Sequence, residues 1–151
     1  LVWFQFAEGR NAEAFAGLDT LISGQAELRR PLALRVYSSA ASAYLRAGRH
    51  AEAVAAAEAA IAVARGDPEL DEDQRNRTLM MITWSFRPHR CDRVLEVLTP
   101  IEASLASNPL VPGDVLARLM ATCAVRAGHD ADAALARLAP WWRKAQQAGI
   151  D

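Results

Sequence analysis

The chain has 151 residues, the length of one domain, and its 17 basic and 18 acidic residues give a formal net charge of -1. A domain of this size buries roughly two-thirds of the surface that its unfolded chain exposes. Surfaces that bind nucleic acid or anionic membranes normally carry a basic excess. The charge balance therefore argues against a nucleic-acid partner and against a membrane partner.

The composition favours α-helix along the whole chain. Alanine is abundant, and Val, Ile, Thr and Tyr never form alternating apolar stripes, so we predict an all-α fold without strands. The apolar residues 1–6 are too few for a signal peptide or a membrane span. Cys91 and Cys123 lack a CxxC or CxxH context, which predicts buried free thiols in a reducing cytoplasm.

Helical hairpins are predicted in chain order at residues 1–23, 31–65, 71–107 and 113–148. Their paired helices are expected at 1–8 with 11–23, 31–47 with 50–65, 71–87 with 89–107, and 113–127 with 129–148. The first helix is expected to be cut short, and the chain to be a fragment of a longer protein.

Capping and proline signals support these limits. Pro31 suits a first helical turn, and Asp71 with Gln74 forms a capping pattern before the third hairpin. Pro100 and Pro140 lie inside predicted second helices, where each removes a backbone hydrogen bond. We therefore predict an interruption or kink at both prolines.

An internal repeat accounts for this organisation. Residues 9–14 and 48–53 both read G-R-x-A-E-A, and residues 128–133 read G-H-D-A-D-A. The helix breakers Gly9, Gly48, Pro88 and Gly128 are spaced 39, 40 and 40 residues apart. A regular period in this range indicates stacked helical hairpins that share a core with their neighbours.

The repeat resembles the tetratricopeptide family in a variant of about 40 residues. The best copy, residues 43–54, carries an aromatic residue at Tyr44, the turn Gly48 and an early Ala in the second helix. The resemblance implies an α-solenoid spanning residues 1–151 as one repeat domain. The copy around Pro88 departs most, because Met81 replaces a small residue and Arg93 replaces the packing Ala.

Polar residues that could support chemistry have simpler explanations. His50, His89 and His129 start successive second helices, which lie too far apart to share a metal ion. Cys91 near His89 has no readable oxyanion-stabilising or orienting group. Residues 67–73 are acidic but lack the spacing and turning Gly of a calcium loop. We therefore predict no enzyme activity and no catalytic, metal-binding or cofactor-binding residue.

The tryptophans differ in their predicted surroundings. Trp84 occupies the same position within its repeat as Tyr44, and Trp141 the same position as Ile61. Trp84 and Trp141 are therefore expected in the core. Trp142 points outward, and we expect a further C-terminal repeat to cover it; the alternative is that it belongs to a binding surface.

The resemblance implies a concave groove lined by the first helix of each hairpin. When the sequence is aligned to the repeat, the residues predicted to face this groove and bind the peptide are Arg35, Ser38, Ser42, Arg46, Arg75, Thr78, Ile82, Arg118, Thr122 and Arg126, with Ser85, Phe86 and Val125 beside them. This mildly basic groove suits an extended acidic peptide or a C-terminal carboxylate. The alternative is that these Arg residues only solvate an Ala-rich helix.

The functional expectation is a cytoplasmic scaffold that binds a protein or peptide and also self-associates through uncapped ends. The alternative is a ligand-sensing domain within a larger bacterial signalling protein or transcription regulator, because the 40-residue repeats resemble those of large ATP-dependent transcription activators. Both interpretations are non-catalytic.

Overall fold

The structure is a computed structural model that describes residues 11–24, 29–86 and 89–147, with the backbone alone at residues 141, 142 and 144–147. Within these ranges every element is helical and there is no strand, which confirms the all-α prediction. Each helix in these ranges is too short or too polar to cross a lipid bilayer. The predicted helix at 1–8 lies outside the described residues, as do the side chains of Trp141 and Trp142.

The helices follow the predicted order with adjusted ends. They are α1 (Asn11–Ser23), α2 (Arg30–Arg46), α3 (His50–Gly66), α4 (Glu72–Thr83), α5 (Cys91–Leu98), a 3₁₀ turn (Thr99–Ile101), α6 (Glu102–Ser107), α7 (Gly113–Arg126) and α8 (Ala131–Gln147). The chain divides into two compact units, Leu1–Asp67 and Pro68–Asp151.

In the first unit, α2 and α3 pack closely as a hairpin with an alanine-rich interface. The buried side chains include Ala40 and Ala41 from α2 and Ala57 and Ala60 from α3. Such small side chains let two helices approach closely, and Tyr44 adds a large buried ring. The helix α1 packs against α2 and buries its own Ala14 and Leu18.

The turns after α2 and α7 both have the hydrogen bonds of a Schellman motif. Arg49 N–H donates to Tyr44 C=O and Gly48 N–H to Leu45 C=O, and the equivalent bonds recur around Gly128. Gly48 has φ +73° and Gly128 has φ +80°. Because L-residues with a Cβ rarely adopt this left-handed conformation, glycine is strongly favoured at both turns. The predicted breaker positions Gly48 and Gly128 are thereby confirmed.

In the second unit, α4 begins as predicted and ends earlier. Asp71 accepts a hydrogen bond from Gln74 N–H and completes a capping box. The helix stops at Thr83 rather than near residue 87, and Phe86 N–H donates to Thr83 C=O in a tighter turn. A proline at sequence position 88 disfavours helix in the residues before it.

This early ending changes which side chains enter the core. Phe86 is fully buried, while Trp84 is only half-buried, so the prediction of Trp84 as a core residue was wrong. Met81, which stands where the repeat pattern has a small residue, is 64% exposed.

The two internal prolines behave differently. At Pro100 the second helix of the hairpin is interrupted: α5 ends at Leu98, and α6 begins at Glu102 after the 3₁₀ turn. The interruption predicted there is confirmed. The helix α8 continues through Pro140 without a break, because losing one N–H leaves the hydrogen bonds of the flanking turns in place.

Candidate binding surface

The predicted binding residues of α2 form one solvent-facing stripe. Arg35, Ser42 and Arg46 are exposed, and Ser38 is half-buried. At 3.6 residues per turn these four positions lie along one side of the helix, and the buried Tyr44 lies on the other. We call Arg35, Ser38, Ser42 and Arg46 the α2 stripe.

The stripe carries positive charge without local neutralisation. Within the part of the chain that the structure describes, Arg35 and Arg46 form no ion pair, and α2 itself contains no acidic residue. Arg46 lies eleven positions after Arg35, which corresponds to about 16 Å along a helix at 1.5 Å per residue. An anionic partner would therefore contact two separate guanidinium groups and not one cluster of positive charge.

The serines between these arginines supply acceptors. Ser38 Oγ donates to Leu34 C=O at 2.7 Å, and Ser42 Oγ donates to Ser38 C=O at 3.2 Å. Such back-bonding is common for serine within helices. Because each hydroxyl hydrogen is engaged, the middle of the α2 stripe accepts hydrogen bonds from a ligand, and its donors are the guanidinium groups at the ends.

A nearby arginine has a structural role. The Arg30 Nη1 donates to Gly66 C=O at 2.6 Å, which links the start of α2 to the end of α3. This bond satisfies one of the carbonyls that the last turn of a helix leaves without an intrahelical donor. Arg30 therefore stabilises the hairpin and lies outside the α2 stripe.

The candidate residues of α4 are largely engaged or buried. Arg75 is half-buried, and its Nη2 donates to Leu70 C=O at 2.8 Å in the loop before the helix. Thr78 is half-buried. Ile82, Ser85 and Phe86 are all buried, with exposed fractions of 3%, 6% and 0%, so the prediction that these three line an open groove was wrong.

On α7 the candidate residues are accessible, but one is already paired. Arg118 Nη2 lies 2.8 Å from Asp114 Oδ2, four residues earlier. Thr122 is half-buried, and Arg126 and Val125 are exposed near the end of the helix. The i,i+4 ion pair was readable from the sequence, since this spacing places two side chains on one helix face.

A cluster around Arg49 was not anticipated from the sequence. Its guanidinium carbon lies 5.0 Å from the Phe15 ring centre and 4.7 Å from that of Tyr44, and the two rings stack at 5.5 Å. Arg49 Nε also donates to Glu52 at 2.9 Å, and its Nη2 lies 3.8 Å from Asp19. The cluster links α1 to the hairpin of α2 and α3.

Burial and hydrogen bonding within this cluster shift the pKa values of two of its members. Burial raises the pKa of Tyr44 to about 12, helped by the hydrogen bond that its hydroxyl donates to Asp19. A hydrogen bond from its own backbone and another from Arg49 lower the pKa of Glu52. The Arg and Glu of the G-R-x-A-E-A repeat therefore have a structural role here, which their recurrence at fixed spacing could have suggested.

The residues considered for chemistry do not assemble into a metal site in the described part of the chain. Among the described residues, no group of three or more His, Cys, Asp or Glu side chains could hold a metal ion. Cys91 and Cys123 are buried and not joined in a disulfide, as predicted for the two thiols. His50, His89 and His129 are exposed at different turns.

The comparisons with known proteins return no relative. No protein-family model, no curated protein and no solved structure matches the chain. The resemblance to tetratricopeptide repeats consequently stays a prediction. It depends on the repeated residues and is compatible with the equivalent Schellman turns at Gly48 and Gly128.

Proposed function

We propose that the chain is a non-catalytic helical-repeat scaffold that binds an extended acidic peptide through the α2 stripe. The observation that carries the proposal is the presence of two exposed arginines, Arg35 and Arg46, on a helix without acidic residues. A guanidinium group binds a carboxylate through two parallel hydrogen bonds, which favours arginine at such sites.

The geometry of the α2 stripe supports a particular length of ligand. An extended peptide advances roughly 3.3 Å per residue, so the span of about 16 Å corresponds to about five residues. We expect acidic side chains at both ends of such a segment. Backbone N–H groups between them can donate to the hydroxyl oxygens of Ser38 and Ser42.

The wider architecture belongs to the same proposal. Stacking of the hairpins into a tetratricopeptide-like solenoid in the cytoplasm would place the α2 stripe on a groove, as the family resemblance implies. The support comes from the 39- to 40-residue period of the helix breakers. A role in bacterial signalling, with the array receiving a small ligand, is the alternative assignment of such a domain.

Peptide binding tests the proposal directly. The probe is a fluorescein-labelled ten-residue peptide with Glu pairs five residues apart and Gly and Ser elsewhere, measured by fluorescence polarisation. Replacing both Arg35 and Arg46 by Glu should weaken binding by at least about tenfold, since two favourable contacts become repulsive. A peptide with Lys in place of Glu should not bind the unmodified chain.

The matched control carries the same charge change elsewhere. Arg65→Glu together with Arg90→Glu alters exposed arginines outside both the α2 stripe and the last helix, and should leave the affinity within about twofold. Equal loss in both double variants would reject the assigned surface. No acidic-peptide binding by the unmodified chain, combined with stabilisation by a small molecule in a thermal-shift screen, would favour the ligand sensor.

A further inference from the structure

The last helix of the second unit exposes a face that is apolar in the middle and charged at both ends. Asp132, Ala136, Ala139 and Arg143 are exposed along one line of α8, opposite the buried Ala134. Beside this line Leu135 is 61% exposed. We call Asp132, Leu135, Ala136, Ala139 and Arg143 the α8 face.

The two charges at its ends have no ion pair in the described ranges. Asp132 lies in the first turn of α8, where a negative charge favours the helix dipole. The Nε of Arg143 donates only to Ala139 C=O, at 3.3 Å, within the same helix. No described residue therefore neutralises the carboxylate or the guanidinium, and both can meet the charges of a partner.

The α8 face is complementary to itself. Asp132 lies as far before the midpoint of Arg137 and Leu138 as Arg143 lies after it, and Ala136 and Ala139 are related in the same way. Reversing the helix direction therefore exchanges the acidic end with the basic end and returns the small residues to the centre. A two-fold interface requires this pattern, because one patch must fit an identical patch.

We infer that the α8 face is the docking surface for a second copy of this chain, with the two α8 helices antiparallel. Asp132 of each copy pairs with Arg143 of the other, and the Ala136 and Ala139 side chains lie at the point of closest approach. Their small size lets the backbones come near each other, and Leu135 is covered at the flank. This inference is independent of peptide binding by the α2 stripe.

The size of the face indicates a weak dimer. About three helical turns bury less than the roughly 800 Å² per partner of a standard interface. We expect a dissociation constant on the order of 0.1 mM. The charge pairs contribute orientation more than affinity, because they lie at the rim of the interface.

Sedimentation velocity of the full chain from 10 µM to 1 mM tests the inference. The unmodified chain should change from monomer to dimer across this range. Asp132→Arg or Arg143→Asp alone should weaken association by at least about tenfold, because each change creates two like-charge contacts across the two-fold axis. The double variant, with both changes in one chain, should dimerise like the unmodified chain.

Mixing the two single variants gives a second diagnostic result. A chain with Asp132→Arg and a chain with Arg143→Asp complement each other, so an equimolar mixture should form heterodimers although neither variant self-associates. A structural role of either residue within its own helix predicts no such rescue. Circular dichroism of each variant establishes that the helices are retained.

A substitution at the centre of the α8 face tests dimerisation independently, should a charge reversal unfold α8. Ala136→Glu should abolish dimerisation, while Ala103→Glu, at an exposed alanine of α6, should leave it unchanged. The inference is overturned if the unmodified chain stays monomeric at 1 mM, if neither the double variant nor the mixture restores dimers, or if Ala136→Glu has no effect.

Discussion

Tyr44 combines two environments in one side chain. Its ring is buried in the α2–α3 hairpin and stacks on Phe15, while its hydroxyl donates to Asp19 on α1. Arg49 lies over both rings and near the same carboxylate. Because the surface ion pairs in this cluster are partly solvated, we expect the ring packing and the Tyr44 hydrogen bond to contribute most of its stability.

Removing the Tyr44 hydroxyl tests this assignment. Tyr44→Phe should lower the free energy of unfolding by about 1 to 2 kcal/mol, since it deletes a hydrogen bond to a charged acceptor and retains the ring. Asp19→Asn added to Tyr44→Phe should then change the free energy of unfolding little further. Urea unfolding of the two single variants and the double variant forms a double-mutant cycle, which gives the coupling energy between the two groups. Additive losses would show that the two groups act independently.

The raised pKa of Tyr44 predicts a loss of stability at alkaline pH. Its phenol titrates near 10 in the unfolded chain and near 12 in the folded one. Between these values the folded state keeps a proton that the unfolded state has lost, so the free energy of unfolding falls as the pH rises from about 10 to 12. Tyr44→Phe should flatten this decline in urea midpoints measured across the range, and an unchanged slope would contradict the assignment.

At the scale of elements, the turns decide where hairpins form. Gly48 and Gly128 end α2 and α7 through left-handed residues, and the bonds that follow satisfy carbonyls of the last turn. The proline at position 100 acts differently, because it divides one helix into α5 and α6 without reversing the chain direction. The glycines at 48 and 128 thus end a helix at the turn of a hairpin, whereas the proline at 100 interrupts a helix within a hairpin.

Two glycines of the first unit offer a matched comparison. Gly48→Ala should lower the free energy of unfolding by about 1 kcal/mol, because alanine is strained at a φ of +73° although no atom lies within 4 Å of its Cβ. Gly66→Ala, in the last turn of α3 with equal space and no positive φ, should raise it by about 0.5 kcal/mol. Thermal unfolding of both variants gives the sign, and equal effects would refute the backbone explanation.

For the whole molecule, near-neutral charge limits how a charged partner approaches. The net charge of -1 gives no long-range attraction for an acidic peptide, so binding at the α2 stripe depends on contacts within roughly the 10 Å Debye length of 0.1 M salt. The first unit has its own buried core, which supports the stripe locally.

Salt should therefore act mainly on dissociation. Raising NaCl from 50 to 500 mM should weaken acidic-peptide binding through a faster off-rate, with the association rate constant near about 10⁵ to 10⁶ M⁻¹s⁻¹ throughout. Stopped-flow fluorescence separates the two rates. A steep fall of the association rate with salt would show electrostatic steering, which the charge balance does not predict.

Much of the architecture was determined by the sequence. The helical class, the breakers at Gly48 and Gly128, the capping box at Asp71 and the interruption at Pro100 all follow from local backbone preferences. The exposed phase of α2 was also predictable, because its apolar positions recur with the helical period over its whole length.

The tertiary structure alone decided which candidate side chains are accessible. Ile82 is buried because α4 ends in a tight turn, and Arg75 is engaged with Leu70 in the preceding loop. The contact of Tyr44 with Asp19 joins residues 25 positions apart, so it depends on how α1 packs against the hairpin. Helical period determines the face on which a residue lies, whereas burial and pairing depend on the neighbours that packing brings to that face.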